Sequence, residues 1–465
     1  MQKIRKEGAK EMRREWRSDL TTGNVFGTLL SFSIPYFFSY FLQTLYGMAD
    51  LYIVGQFDAV ESTTAVSIGS QIMHMITVMI VGLAMGTTVS IGHEAGAKNE
   101  KRMFAAIGNT VVLFLSLSVL SAVILTLCIR PIVSVMSTPA EAVESTVSYL
   151  TICFIGIPFI TAYNIISSIF RGMGDSRSPM YFIAVACVSN IALDYVFIGA
   201  LGMGAAGAAL GTTLAQTISV AAAFLRIRTD KGMQHIRLSA EDFKPQRTVM
   251  GKLLAIGVPV AMQDGFIQIS FLLITVIANR RGLFDAAAVG VVEKIIGILF
   301  LVPSSLLSSV SALAAQNIGA GKKERAKQTL KYAMIAAVVF GTVSALLMQF
   351  FAEPVVGIFR GEPEVVRLGG QYLKGYVWDC VFAGVHFCFS GYFCARGMSG
   401  LSFLHNAVAI VCARIPLVYL ASKLFADTLF PMGLATVTGS AVSVVICVIA
   451  FVWIERKARV YKVSI

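Results

Sequence analysis

Apolar positions in this chain gather into long blocks separated by brief polar joints. The blocks lie at about residues 26–53, 64–91, 104–128, 147–170, 180–200 and 205–225. After a polar stretch from Arg226 to Gly251 they resume at about 252–278, 287–317, 332–351, 371–395, 402–425 and 432–454. A helix needs about 20 mostly apolar residues to cross the hydrocarbon core of a bilayer. The pattern therefore predicts an all-α membrane protein of twelve transmembrane helices in two six-helix lobes. Several blocks exceed the minimum, which implies tilt or extension beyond the bilayer. The expected layout is a cytoplasmic N-terminal segment (1–25), a first lobe (26–228), a cytoplasmic linker (229–250), a second lobe (251–455) and a cytoplasmic tail (456–465).

Of the 465 residues, 56% are apolar and 14% charged, against about 25% charged in soluble proteins. Little chain is left for a soluble enzyme domain. The residues up to Asn24 mix Lys and Arg with Glu and have no apolar core, which excludes a cleaved signal peptide. Ile4, Met12, Trp16 and Leu20 could line one side of a basic interfacial helix, the alternative being a tail with no structure of its own. With the N-terminus in the cytoplasm, segments on that side carry 29 Lys and Arg and those on the other side six. This bias places both termini in the cytoplasm, in a cell's inner membrane. The net charge of +12 then follows from topology, and nucleic-acid binding is not needed to explain it. Cys128, Cys153, Cys187, Cys380, Cys388, Cys394, Cys412 and Cys447 fall in or at the ends of apolar blocks with no CxxC pair, and read as packing residues. No phosphate-binding glycine loop or nucleophile elbow occurs, so no cofactor is expected and ATP is not the energy source.

The two halves repeat. Gly27-Thr-Leu-Leu-Ser-Phe-Ser-Ile-Pro35 is matched by Gly251-Lys-Leu-Leu-Ala-Ile-Gly-Val-Pro259, 224 residues on. Gly96-Ala97 pairs with Gly319-Ala320, Pro131 with Pro354, Tyr149-Leu150 with Tyr372-Leu373, and Arg171-Gly-Met173 with Arg396-Gly-Met398, at offsets of 223 to 225. Each half has an even number of spans, so both have the same orientation, and a pseudo-twofold along the membrane normal should relate them. Transporters built this way hold substrate near the bilayer midplane between the repeats.

Thr22-Gly23, Pro35, Met48-Ala-Asp-Leu-Tyr-Ile-Val-Gly55, Arg171-Gly-Met-Gly-Asp175, Asn190-Ile-Ala-Leu-Asp194, Gly204-Ala-Ala-Gly207 and Gln316-Asn-Ile-Gly-Ala-Gly321 together resemble the multidrug and toxin extrusion (MATE) family. The likeness runs from about residue 20 to 455. It implies a twelve-helix secondary antiporter that exports small organic, often cationic, compounds in exchange for Na⁺ or H⁺, working as a monomer in the lipid bilayer.

Ionisable groups inside apolar spans cost about 2.5–3.5 kcal/mol at a helix centre, so each is a candidate site. Asp50 and Asp194 are the two such carboxylates of the first half. Asp50 follows Gln43 by seven residues, nearly on the same face, and Asn190 and Asp194 are four apart on one span. Clustered side-chain oxygens suit a hard cation such as Na⁺, and a buried carboxylate suits a proton equally. The resemblance adds Thr212, Asn164 and Tyr149 to Gln43, Asp50, Asn190 and Asp194 as cation-coupling positions. Asp50, Asn190, Asp194 and Thr212 would be the Na⁺ ligands. The bland alternatives are helix-joining hydrogen bonds for the amides and threonine, and a helix-capping role for Asp50.

The second half departs from the family's pattern of acidic residues on spans seven and ten. Its nearest positions read Gln268 and His386, with Asp264 and Asp379 displaced, which puts a second-half Na⁺ site in doubt. Asp264, Gln268, His386, Met73 and Tyr46 are the substrate candidates. For Asp264, Glu293, Asp379 and Arg414 ion pairing is the competing role. His74 and His386 are candidate proton sensors or neutral core residues. Lys374 is expected to snorkel to the membrane edge. A flippase for lipid-linked precursors, and less readily a channel or membrane enzyme, are the alternative functions.

Overall fold

The computed structural model describes residues 19–229, 238–359 and 361–463. The expected interfacial helix ahead of Asp19 lies outside them. Among the described residues no strand occurs. In the first half the helices are α1 (Val25–Phe57), α2 (Val60–Gly96), α3 (Glu100–Leu127), the short α4 (Ile129–Val135), α5 (Val143–Ile155), α6 (Ile157–Gly172), α7 (Arg177–Asp194) and α8 (Gly204–Thr229). In the second half they are α9 (Arg247–Asn279), α10 (Leu283–Leu299), α11 (Leu301–Gly319), α12 (Lys323–Gly357), α13 (Pro363–Tyr376), α14 (Asp379–Ala395), α15 (Ser399–Ala409), α16 (Ile415–Leu424) and α17 (Phe430–Val463). Helices dominate because a backbone in lipid must satisfy its hydrogen bonds internally.

Ten helical stretches are long and apolar enough to span a bilayer, and two bent pairs bring the number to twelve if each pair counts as one span. The bent pairs are α5 with α6 (46°) and α13 with α14 (42°). They stand at corresponding places in the two halves. In the first, Pro158 follows the break at Gly156, and its missing N–H and ring end the helix before it. The second break, at Val377 and Trp378, has no proline. The apolar blocks underestimated several helices. α12 begins at Lys323 rather than near 332, because its first turns are polar and amphipathic, outside the apolar stretch.

The chain forms two compact units. Ile34–Gly257 and Ala315–Gly321 make the body of the first, and Asn24–Ser33, Val258–Ala314 and Lys322–Ile465 the second. The first unit's main core gathers Ile53, Val66, Tyr149, Phe154 and Ala208. The second unit's core gathers Val292, Ile296, Tyr372, Tyr376 and Val418. Within the first unit, the ends of α2 and α11 cross at two glycines. A Cβ on Gly96 would fall on the carbonyl of Gln316, and one on Gly319 on the carbonyl of His93. The two contacts are reciprocal, each glycine meeting the residue three before the other. The joints that follow take a left-handed residue at matching positions, Lys98 at φ 56° and Gly321 at φ 76°.

Candidate functional site

The first unit brings Asp50 from α1, Asn190 and Asp194 from α7, and Thr212 from α8 into one buried cluster. Asp50, Asn190 and Asp194 are 3%, 1% and 0% exposed. The Thr212 hydroxyl donates to Asp50 Oδ2 at 3.1 Å, and the Asn190 amide donates to Asp194 Oδ2 at 3.4 Å. Asp50 lies beside both Asp194 and Asn190. Since α1 continues to Phe57, Asp50 is two turns inside its helix and caps nothing. A π-helical stretch, Tyr195–Ala200, follows Asp194 directly, a local widening of the helix that recurs at functional sites.

Three oxygens of this cluster, Asp50 Oδ1, Asn190 Oδ1 and Asp194 Oδ1, are buried without a hydrogen-bond partner. All are acceptors, so the cluster lacks a cation or a donor and not another carbonyl. Two ionised carboxylates side by side in a dry setting repel, and a shared proton or a bound cation relieves this. Among the described residues no group of three or more His, Cys, Asp or Glu could hold a metal ion. The donors here, two carboxylates with amide and hydroxyl oxygens, fit Na⁺ or a proton and not zinc.

The other first-half candidates divide. Tyr149 is buried beside Asp50 and Cys153. Tyr46, a substrate candidate by sequence, lies beside Asp50 and Gln216. Gln43 lies next to Tyr163, and Asn164 turns its amide back to the carbonyl of Ile160 on its own helix at 2.8 Å. Met73 is buried in the apolar core, where it serves packing. His74 lies at the surface of α2.

Sequence reasoning missed two buried polar side chains, Tyr163 and Gln216. Tyr163 Oη and Gln216 Oε1 have no hydrogen-bond partner. Gln216 falls four residues after Thr212, the same helical face, and that spacing was the available signal. A Cβ on Gly211 would fall on Asp194 Oδ1, so glycine at 211 makes room for the carboxylate.

In the second unit, Arg414 donates to Tyr376 Oη at 2.5 Å and to Asp379 Oδ2 at 3.4 Å. The ion-pairing role thus holds for Asp379 and Arg414. Asp264 and Gln268 are half-buried on α9, and Asp264 makes no ion pair among the described residues. His386 is buried edge-on to His405, ring centroids 5.5 Å apart. His405 is held between Ser390 at 2.9 Å and Ser443 at 3.2 Å. Lys374 meets Glu353 at 3.2 Å.

The MatE family model matches the chain twice, over residues 35–196 and 259–420. The chain belongs to the MatE family. The two matches begin 224 residues apart, the offset of the internal repeat. MatE proteins are transporters rather than enzymes. One relative of this MatE chain is the "Probable multidrug resistance protein YoeA" of Bacillus subtilis, 28% identical over 367 residues, 78% of this chain and 79% of that protein. A second from the same organism, named "Probable multidrug resistance protein YpnP", is 28% identical over 404 residues, covering 87% and 90%. Among solved structures, a MOP superfamily transporter from Pyrococcus furiosus superposes with a TM-score of 0.87 at 21% identity, covering 96% of this chain and 98% of that one. The resemblance carried by the Asp50, Arg171 and Asn190–Asp194 motifs therefore holds over the length of both halves.

Proposed function

We propose that this MatE chain is a secondary active multidrug efflux antiporter. It exports organic, often cationic, compounds in exchange for Na⁺ or H⁺ by alternating access, as a monomer in a cell's inner membrane with both termini in the cytoplasm. The observation that carries this reading is the Asp50–Asp194 pair, buried beside Asn190 with one unpartnered oxygen on each of the three residues. A cation or proton reaching that pair from outside removes the repulsion and changes the electrostatics holding α1, α7 and α8 together. An ion-dependent change of packing in these helices is what alternating access requires. The relatives' multidrug names and the bias of Lys and Arg support the drug-export and topology parts.

On the substrate side, Asp264 is the carboxylate with no ion pair among the described residues, offered to a cationic compound, with Gln268 four residues on along α9. Of the other substrate candidates, His386 is enclosed in the second unit and Tyr46 belongs with the coupling cluster. The test is efflux of a fluorescent organic cation from reconstituted vesicles with a Na⁺ gradient and a pH gradient imposed separately. Export under one gradient supports the antiporter and identifies the ion. No transport under either overturns it and favours the lipid flippase.

A further inference from the structure

The second unit has its own buried polar cluster, built differently from the first. Thr275 on α9 donates to Glu293 Oε2 on α10 at 3.1 Å. Arg414, 6% exposed, donates to Tyr376 Oη at 2.5 Å and to Asp379 Oδ2 at 3.4 Å. Its guanidinium also stands 5.4 Å from the ring centre of Phe271. Four polar atoms remain buried and unpartnered: Glu293 Oε1, Tyr372 Oη, Asp379 Oδ1 and Arg414 Nε.

The internal repeat gives this arrangement its meaning. Asn190-Ile-Ala-Leu-Asp194-Tyr195 aligns with Arg414-Ile-Pro-Leu-Val418-Tyr419 at the offset of 224 that separates Pro35 from Pro259, and Tyr149 aligns with Tyr372 at 223. A π-helical stretch adjoins both motifs, Tyr195–Ala200 in the first half and Ile410–Arg414 in the second. By the same offset Asp50 corresponds to Ile274. Where the first half has two carboxylates and an amide, the second has an isoleucine, a valine and a guanidinium. Both carboxylates of the coupling pair are gone, and a fixed positive charge stands in place of the amide. The carboxylates beside that charge, Glu293 and Asp379, come from other helices.

We propose that Arg414 is a tethered cation taking, in the second unit, the place that the exchanged Na⁺ or H⁺ takes in the first, so that Arg414 limits the transporter to one coupling site per chain. An arginine suits this because its guanidinium stays charged and its planar fork can engage a carboxylate and a phenol together. Removing it leaves Glu293 and Asp379 in a buried, oxygen-lined pocket without counter-charge, a setting that recruits a cation.

This inference rests on the first-unit coupling reading, and cation counting separates the two. Binding of radiolabelled Na⁺ to the purified full-length protein is measured beside proton uptake from a pH-sensitive dye. The wild type should bind one cation per chain and Asp50→Asn none. Asp50→Asn combined with Arg414→Asn should regain one, as Na⁺ in the first arm or as a proton in the second. Arg414→Lys in the same background should regain none. If the Arg414→Asn protein is not monodisperse, Arg414→Gln, which can still bond Tyr376 and Asp379, takes its place with the same expectation. A double variant that binds nothing, or a wild type that binds two cations of which one survives Asp50→Asn, overturns the role of Arg414 and leaves the first-unit site standing. A single cation that survives Asp50→Asn overturns the first-unit reading and this inference with it.

Discussion

Asp50 and Asp194 concentrate the chemistry of the first unit because each is costly in a membrane span and one carboxylate oxygen of each, Oδ1, lacks a donor. Asp50→Asn and Asp194→Asn, neutral and nearly isosteric, are expected each to abolish uphill export of an organic cation in the vesicle assay, while yield and monodispersity in detergent stay at wild-type level. Full export by both would remove these carboxylates from the coupling role. Gly211 is their silent partner, since a methyl there lands on Asp194 Oδ1. Overpacking a well-filled site costs about 1–3 kcal/mol, and each 1.4 kcal/mol is tenfold in affinity. Gly211→Ala is therefore expected to weaken cation binding roughly tenfold or more, read as a shift in the Na⁺ or proton dependence of export; unchanged dependence would mean that the carboxylate has room to move.

At the scale of elements, Arg281, between α9 and α10, is almost wholly consumed by structure. Its Nε meets Asp285 at 2.7 Å, and its other nitrogens donate to the carbonyls of Ser422 at 2.6 Å, Phe425 at 3.0 Å and Ala426 at 2.8 Å. These carbonyls belong to the last turn of α16 and the loop beyond it, where helical partners have run out. Hydrogen bonds to charged groups contribute about 1.5–3 kcal/mol each, and they are not additive. Arg281→Ala should lower the stability of the second unit by about 3 kcal/mol, seen as a lower thermal midpoint in detergent, with the choice of coupling ion unchanged. A midpoint within error of wild type would show that water replaces the arginine at these carbonyls.

For the whole molecule, the number of coupling sites decides how transport feels the membrane potential. One cation inward for one monovalent cationic compound outward moves no net charge. A charge crossing 100 mV is worth about 2.3 kcal/mol, roughly a fifty-fold ratio of concentrations. With Arg414 holding the second unit's carboxylates, accumulation of a monovalent cation is expected to be insensitive to an imposed potassium-diffusion potential, and a divalent compound to respond to it. A steep response for the monovalent compound would require a second coupling ion.

The sequence by itself determined the membrane class, the twelve spans and the doubled plan, because apolar length and repeat spacing are local properties that survive any packing. It also singled out Asp50 and Asp194, since a carboxylate is conspicuous wherever it lies along an apolar run, and Asn190 by its spacing of four from Asp194. It did not show the breaks at Gly156 and at Val377–Trp378, because hydropathy is continuous through both. Nor could it show that Asn164 bonds its own helix, that Met73 belongs to the core, or that Gln216 and Tyr163 are buried. Those depend on how helices are rotated about their axes, which a blocky apolar pattern leaves open when lipid and protein interior are equally apolar. The pairing of Arg414 with Asp379, 35 residues apart on different helices, and the space that Gly211 leaves for Asp194 were likewise decided only by tertiary structure, where side chains distant in sequence meet at contact range.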